Sequence, residues 1–350
     1  MQTKKLIWLL VVVVVLAGCG QRGGGDTPIK KEEVYTGTEG IVMKMFNVPE
    51  TVGQNEIFTA GLEVENKGAY PDDEDNFKGY LALGLDGDHM EIKANGWRKD
   101  EWVYGKIGEN INDKTVRFQV KGKTLDNPLG GLGVTVVTLN ARELREDQSQ
   151  YRDVDVLMTA CYRYQTKAVP TVCVDSSQFN LVEKEKACEV EDIKLKDQGA
   201  PIAVTNIEPS MLYDDSGNIK PMFLITIENK GDGEVISTME IVRDEKEKIK
   251  EVDGKVVIKY NDNIIQKMCT SQGVDYTEFN SAFITVKLRG TPLDCSPYSG
   301  VIRLKEDEGI ARCVLTDGIA EGTTYTTPLE ITLDYGYMST VSEKVRVERR

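Results

Sequence analysis

The sequence predicts an all-β protein of two tandem β-sandwich domains with minor helical insertions, behind a signal peptide and a flexible tether. Three observations carry that reading. Ile57–Gly68 (IFTAGLEVENKG) alternates Phe58, Ala60, Leu62 and Val64 against Thr59, Gly61, Glu63 and Glu65, then turns at Asn66-Lys67-Gly68. Neighbouring strand residues point to opposite faces, so period-two alternation closed by an Asn/Gly turn reads as a half-buried strand. The same pattern recurs at Met222–Gly231 (MFLITIENKG), where Glu-Asn-Lys-Gly moves from 65–68 to 228–231, an offset of 163. Elsewhere, short apolar runs are punctuated by Gly, Pro and Asn, which suits sandwiches of many short strands.

The repeat runs to the end of each copy. Each opens on a short apolar strand and a proline, Ile41–Pro49 and Ile202–Pro209. Val116–Asp126 (VRFQVKGKTLD) matches Ile284–Asp294 (ITVKLRGTPLD) at an offset of 168, and Val156–Val174 matches Leu329–Val347 at 173. The last match pairs Tyr162 and Tyr164 with Tyr335 and Tyr337. Offsets that grow slowly along the chain are what small loop insertions in the second copy produce. Units this long are duplicated domains, since solenoid units run to about 20–50 residues.

Met1–Gly18 belongs to no fold. Lys4 and Lys5 form a basic n-region, and Leu6–Leu16 is an unbroken apolar run. Leu16-Ala17-Gly18-Cys19 then resembles a lipobox, the processing signal of prokaryotic lipoproteins. The resemblance implies removal of residues 1–18, a diacylglycerol on the Cys19 thiol, and a membrane partner held through that lipid. An uncleaved anchor is the alternative, but Leu6–Gly18 is shorter than the roughly 20 apolar residues a span needs. Both readings place the remainder outside the cytoplasm, at the cell surface or in a periplasm.

Residues 19–38 form the tether, glycine-rich in Gly20–Lys31 (GQRGGGDTPIKK). The first domain is expected over 39–187 and the second over 188–350, with the boundary in the charged stretch Glu183–Ala200. The net charge is −14, and loss of Lys4 and Lys5 gives −14 − 2 = −16 for the mature side chains. Such a surface repels phosphate backbones and argues against nucleic acid. No Asn-x-Ser/Thr sequon occurs.

An opening strand, a proline, x-Gly-x and an alternating strand ending in Asn-x-Gly carry a further resemblance. In copy one the residues are Val48-Pro49, Gly53 and Phe58–Gly68; in copy two they are Glu208-Pro209, Gly217 and Phe223–Gly231. The pattern is similar to the immunoglobulin-like CARDB-type domains of bacterial and archaeal cell-surface proteins. It implies immunoglobulin-like sandwiches and transfers no catalytic residues. It covers the first third of each copy. The middles depart from it and exceed an ordinary sandwich of about 100 residues, so extra hairpins or helices are expected there.

Further strands are expected at Tyr80–Leu85, Gly133–Leu139, Val256–Tyr260 and Gly300–Leu304. Ala141–Tyr151 and Ile241–Val252, rich in i,i+4 charge pairs, read either as short helices or as solvated surface hairpins.

Apart from Cys19 there are six cysteines: Cys161, Cys173, Cys188, Cys269, Cys295 and Cys313. An even number in an exported chain reads as disulfides, with fifteen pairings open. Zinc is disfavoured because no pair has C-x-x-C spacing and His89 is the only histidine. In the expected final hairpin, Val156, Met158, Ala160, Tyr162 and Tyr164 share one face, which sends Cys161 and Cys173 to the outer one. The offset of 173 maps these cysteines onto Asp334 and Arg346. This predicts a Cys161–Cys173 bridge and a facing Asp334–Arg346 ion pair. Sequence proximity adds Cys295–Cys313, leaving Cys188–Cys269.

No cofactor is expected. A catalytic triad would need His89, which lies in the acid-flanked turn LDGDHM and reads as exposed. Gly130-Gly131-Leu132-Gly133 lacks the Lys-Ser/Thr of a phosphate loop and reads as a loop before a strand. Asp72, Asp73 and Asp75 in one loop and Asp214 and Asp215 in another are candidate weak calcium ligands; a solvated loop is the favoured reading. Trp102 and Tyr104 share a face and read as core. Trp97, beside Gly96 in an expected turn, is the candidate for stacking on a sugar.

Together these observations indicate a non-enzymatic, lipid-anchored extracytoplasmic protein. Its role would be adhesion, envelope assembly or presentation of a partner, protein or glycan. A glycan-binding lipoprotein using Trp97 and an envelope hydrolase using paired carboxylates are the alternatives.

Overall fold

Alternating apolar residues generate almost every element. The computed structural model describes residues 34–70, 79–98, 100–102, 105–145, 150–176, 186–213, 217–241, 251–252, 255–256, 258–261, 263–270, 276–320, 322 and 324–349. Its first copy supplies β1 (Ile41–Phe46), β2 (Thr51–Gly53), β3 (Ile57–Asn66), β4 (Gly79–Leu85), β5 (Met90–Arg98) and β6 (Asp100–Trp102). There follow β7 (Gly105–Asn112), β8 (Thr115–Val120), β9 (Leu132–Ala141), β10 (Tyr151–Ala168) and β11 (Thr171–Asp175). The second copy begins with β12 (Ile193–Lys194), β13 (Ile202–Tyr213), β14 (Ile219–Asn229), β15 (Glu234–Ile236) and β16 (Met239–Ile241). Next come β17 (Glu251–Val252), β18 (Lys255–Val256), β19 (Ile258–Tyr260) and the helix α1 (Asn263–Cys269). It ends with β20 (Ser281–Leu288), β21 (Thr291–Pro292), β22 (Asp294–Ser296), β23 (Val301–Arg303), β24 (Glu308–Val314) and β25 (Thr324–Glu348).

These strands form two β-sandwiches built on one shared sheet. The shared sheet runs β21-β20-β25-β10-β4-β8-β7-β6, with β2, β11 and β15 also paired to β25 and β23 to β20. The sheet β1-β3-β9-β5 covers the first copy's half, and β12-β13-β14-β24-β22 covers the second's. Phe58, Ala60, Leu62 and Val64 of β3 are buried, as are Phe223, Ile225 and Ile227 of β14. One apolar cluster runs through both copies, and Lys31–Arg350 is one compact unit. The boundary expected at 187/188 falls beside a disulfide, Cys173–Cys188.

β4, β9 and β23 lie where strands were expected, while Val256–Tyr260 is divided between β18 and β19. The two candidate helices do not form in their described parts. Ala141 closes β9, Arg142–Arg145 is irregular, Tyr151 opens β10, and Ile241 and Glu251–Val252 are strand. Charge pairs worth a few tenths of a kcal/mol each cannot offset helix nucleation without an apolar stripe. α1 has such a stripe, with Ile264, Ile265 and Cys269 buried.

The expected final hairpin is also corrected. β10 does not fold back on β11; the chain turns at Val169-Pro170, and Thr171–Asp175 pairs with Thr324–Pro328 of β25. β25 itself runs unbroken for 25 residues.

Candidate functional site: the seam between the copies

The two copies meet along β10 and β25, antiparallel from Tyr151↔Glu348 to Ala168↔Ile331. The offset of 173 maps Arg163 onto Gly336, and these residues face each other in the ladder. A pseudo-twofold axis therefore passes between them. Tyr162 faces Tyr337 and Tyr164 faces Tyr335, each opposite its counterpart's neighbour. The four rings are buried together, with centroids 5.7 to 6.5 Å apart and tilted or edge-on.

Their hydroxyls bind each copy's turn in the same way. Tyr164 donates to Asn66 Oδ1 and Tyr337 to Asn229 Oδ1, both at 3.1 Å. Those same oxygens accept from Gly68 N and Gly231 N, closing the two Asn-Lys-Gly turns. Ile41 N donates to Tyr162 Oη, and Ile202 N donates to Tyr335 Oη. Burial raises the pKa of all four tyrosines, that of Tyr337 to about 12. They are neutral hydrogen-bonding groups, not nucleophiles, near neutral pH.

On the opposite face of the seam, α1 lies over β10 and β4. Cys161, expected to face solvent, is fully buried beneath it and bonded to Cys269, so a disulfide crosses from copy one to copy two. This overturns Cys161–Cys173 and Cys188–Cys269: Cys173 is joined to Cys188, while Cys295–Cys313 is as expected. The physical reason is that β11 belongs to the ladder of β25, so Cys173 never faces Cys161. The Asp334–Arg346 pair fails because both residues lie on the one unbroken strand β25, twelve positions apart, and so cannot face each other. Asp334 accepts from Arg163 at 3.0 Å and from Gln165 at 2.9 Å, while Arg346 forks onto Asp153 at 2.8 and 3.2 Å. The Arg346 hydrogen bond holds the Asp153 carboxyl below its ordinary range.

Beside Cys269 opens a groove of about 580 Å³, lined among others by Gly84, Lys114, Thr159, Met268 and Thr340. The Thr159 and Thr340 hydroxyls are 2.9 Å apart. Among the described residues of this lining, Asp113 is the one carboxylate. Sequence reasoning missed the groove because α1, which walls it, was missed. The available signal was the apolar spacing of Ile264, Ile265, Met268 and Cys269.

Other expected site residues lie apart from the seam. Trp97 is 6% exposed in β5, and its Nε1–H donates to Asp113 O at 3.0 Å, so its ring offers no face to a sugar. Trp102 lies in β6 with its side chain outside the described set, as Tyr104 is altogether. His89 sits in the expected turn but is 7% exposed rather than open, with Nδ1 2.9 Å from Asp86 Oδ2. That hydrogen bond is the main reason the Asp86 pKa is lowered. Gly130 and Gly131 precede β9, as the loop reading required. Asp72, Asp73, Asp75, Asp214 and Asp215 lie outside the described residues, as does Cys19. Among the described residues no group of three or more His, Cys, Asp or Glu is placed to hold a metal.

No family model and no curated protein matches the sequence. Among solved structures the chain is similar to BcpA, the major pilin subunit of Bacillus cereus, at 12% identity and a TM-score of 0.23. That match covers 79% of this chain and 66% of the pilin chain, just under two thirds of its length. It is also similar to the C-terminal domain of the Streptococcus agalactiae AgI/II polypeptide BspA, at 8% identity and a TM-score of 0.19, over 88% of this chain and 98% of that one. A partial N-terminal region of enterococcal surface protein matches at 8% identity and a TM-score of 0.19, over 85% and 84% of the two chains. Likeness at this level carries no argument about activity.

Proposed function

We propose that the chain is a lipid-anchored extracytoplasmic protein whose two fused immunoglobulin-like sandwiches serve adhesion, envelope assembly or partner presentation without catalysis. The observation that supports this best is the Cys161–Cys269 bridge between copies, laid over the β10–β25 ladder. Disulfides persist in oxidising compartments, which supports a position outside the cytoplasm. A covalently and sheet-joined pair of sandwiches holds its surfaces at fixed spacing, as a presenting module requires. The lipobox at Leu16–Cys19 supplies the anchor in this reading, and the CARDB-type resemblance agrees with a surface role.

The test is fractionation combined with N-terminal mass measurement. Wild-type protein should travel with membranes and carry lipid on an N-terminal Cys19, and Cys19→Ala should abolish the lipid mass. Identical N-termini without lipid in both proteins would refute the anchor. Cross-linking on intact cells should then capture the partner through the anchored wild type and lose it with the released variant.

A further inference from the structure

We propose that the loop between β8 and β9 is a membrane-docking tip that presses this protein's first copy against the bilayer holding its lipid anchor. The proposal rests on the lipid-anchor reading above.

Two large apolar residues stand out of this loop, Leu125 at 52% and Leu129 at 77% exposure, with Pro128 exposed between them. Their exposure is built rather than incidental. Thr124 and Asn127 exchange backbone hydrogen bonds across Leu125, and Gly130 N donates to Asn127 O across Pro128 and Leu129. Each leucine thus sits at the corner of a closed turn, and Pro128 has the position in its turn that proline favours. Gly130, at φ +82, lies against the Asn66 carbonyl and fixes the loop to the first Asn-Lys-Gly turn.

The second copy provides an internal comparison. By the offset of 168, Leu125 corresponds to Leu293, which is 9% exposed. The second copy turns tightly at Arg289-Gly290 and has no counterpart of Leu129. Only the copy that follows the tether presents the leucines.

Position supplies the occupant. Lys123 N donates to Gly68 O, and Lys67 N donates to Gly40 O, so the loop root and the point where the chain enters the fold flank one turn. From Cys19 to Val34 is 15 residues, which cannot reach beyond about 54 Å. A lipid on Cys19 therefore holds this side of the fold near the membrane at roughly millimolar local concentration, where two leucines suffice for weak insertion. Lys121 and Lys123 precede the two leucines, and Asp126 lies between the leucines in sequence. A tip of two exposed leucines suits a lipid headgroup surface.

The test uses the full-length chain, lipidated at Cys19 and reconstituted in phosphatidylcholine vesicles, with Leu129→Trp as the probe. Lipid brominated in its acyl chains should quench the added emission about twofold, as for an indole at the headgroup boundary. Ile310→Trp, at an exposed position of the second copy, should lose none. Equal quenching at the two sites would overturn the docking. So would a blue-shifted Leu129→Trp emission without quenching, which would mean a protein cover such as a second copy. Flotation is read on the same samples: a wild-type chain that fails to float refutes the anchor and the docking with it, whereas floating but unquenched protein refutes the docking alone.

Discussion

Replacing Cys161 and Cys269 together by alanine tests whether the copies are held by a covalent bridge or by their sheet. The two residues are 108 apart, and the Cys173–Cys188 bridge inside that span shortens the effective loop by 15. Loop-closure entropy for a little over 90 residues is about 4.7 kcal/mol at 25 °C, and measured bridges usually deliver 2–4. With about 2.1 cal/mol/K of unfolding entropy per residue over roughly 320 residues, 4.7 kcal/mol is about 7 °C in Tm. Calorimetry of the double variant should show a fall of about 3–7 °C in one transition, because β10 and β25 still join the copies. Hydrogen exchange should localise the early loss to α1, a seven-residue helix too short to persist alone. Amides at the Asn66 and Asn229 turns should stay protected. A Tm change below about 1 °C, or seam amides opening together with α1, would refute the reasoning.

Trp97→Ala should cost about 3–5 kcal/mol in denaturant unfolding, as loss of a buried ring does, and a cost below about 1 would show the ring is not packed. Gly68→Ala should destabilise by about 1–3 kcal/mol. Its Cβ would meet the Glu39 and Gly199 carbonyl oxygens at 2.6 Å, which cannot withdraw, whereas Gly87→Ala meets nothing within 4 Å and should be neutral. The seam tyrosines make the fold sensitive to alkali. Because folding raises their pKa, their contribution is complete below about pH 10 and falls as pH rises toward about 12, by about 1.4 kcal/mol per pH unit for each tyrosine still protonated in the fold. Tyrosinate absorbance should show these groups ionising only with cooperative unfolding; early ionisation of all fourteen tyrosines without unfolding would contradict the burial.

What could be read from the sequence was whatever one copy settles by itself. Phe58 to Val64 revealed the core face because alternation records burial directly, and the repeated Glu-Asn-Lys-Gly revealed the duplication. Cys295 and Cys313 were paired correctly because they face each other in the β22–β24 ladder, 18 residues apart. Cys161 was misplaced because alternation separates the two faces of a strand without saying that the outer one is dry. α1, from the other copy, covers it. A signal existed in the outward positions, with Tyr80 of β4 facing Cys161 on one side and Met338 of β25 on the other, but it becomes legible only when both copies are read as one sheet. His89 and Trp97 were misplaced by acidic and glycine neighbours, which describe the backbone turn rather than the direction of the ring.

The seam explains why the copies are fused rather than strung as beads. Each ends in a long strand whose free edge would invite pairing with other chains, and antiparallel pairing of the two closes both edges. Pairing equivalent strands about a twofold axis is the geometry of an isologous dimer, in which any residue on the axis must face itself. Duplication within one chain removes that restriction. Here the axial position holds Arg163 on one side, where it binds Asp334, and Gly336 on the other, where any Cβ would strike Ile265 of α1. Two arginines facing on the axis would exclude the helix, and two glycines would leave Asp334 without its guanidinium. The departure from symmetry at this one pair lets a single helix lie across the seam and carry Cys269 to Cys161.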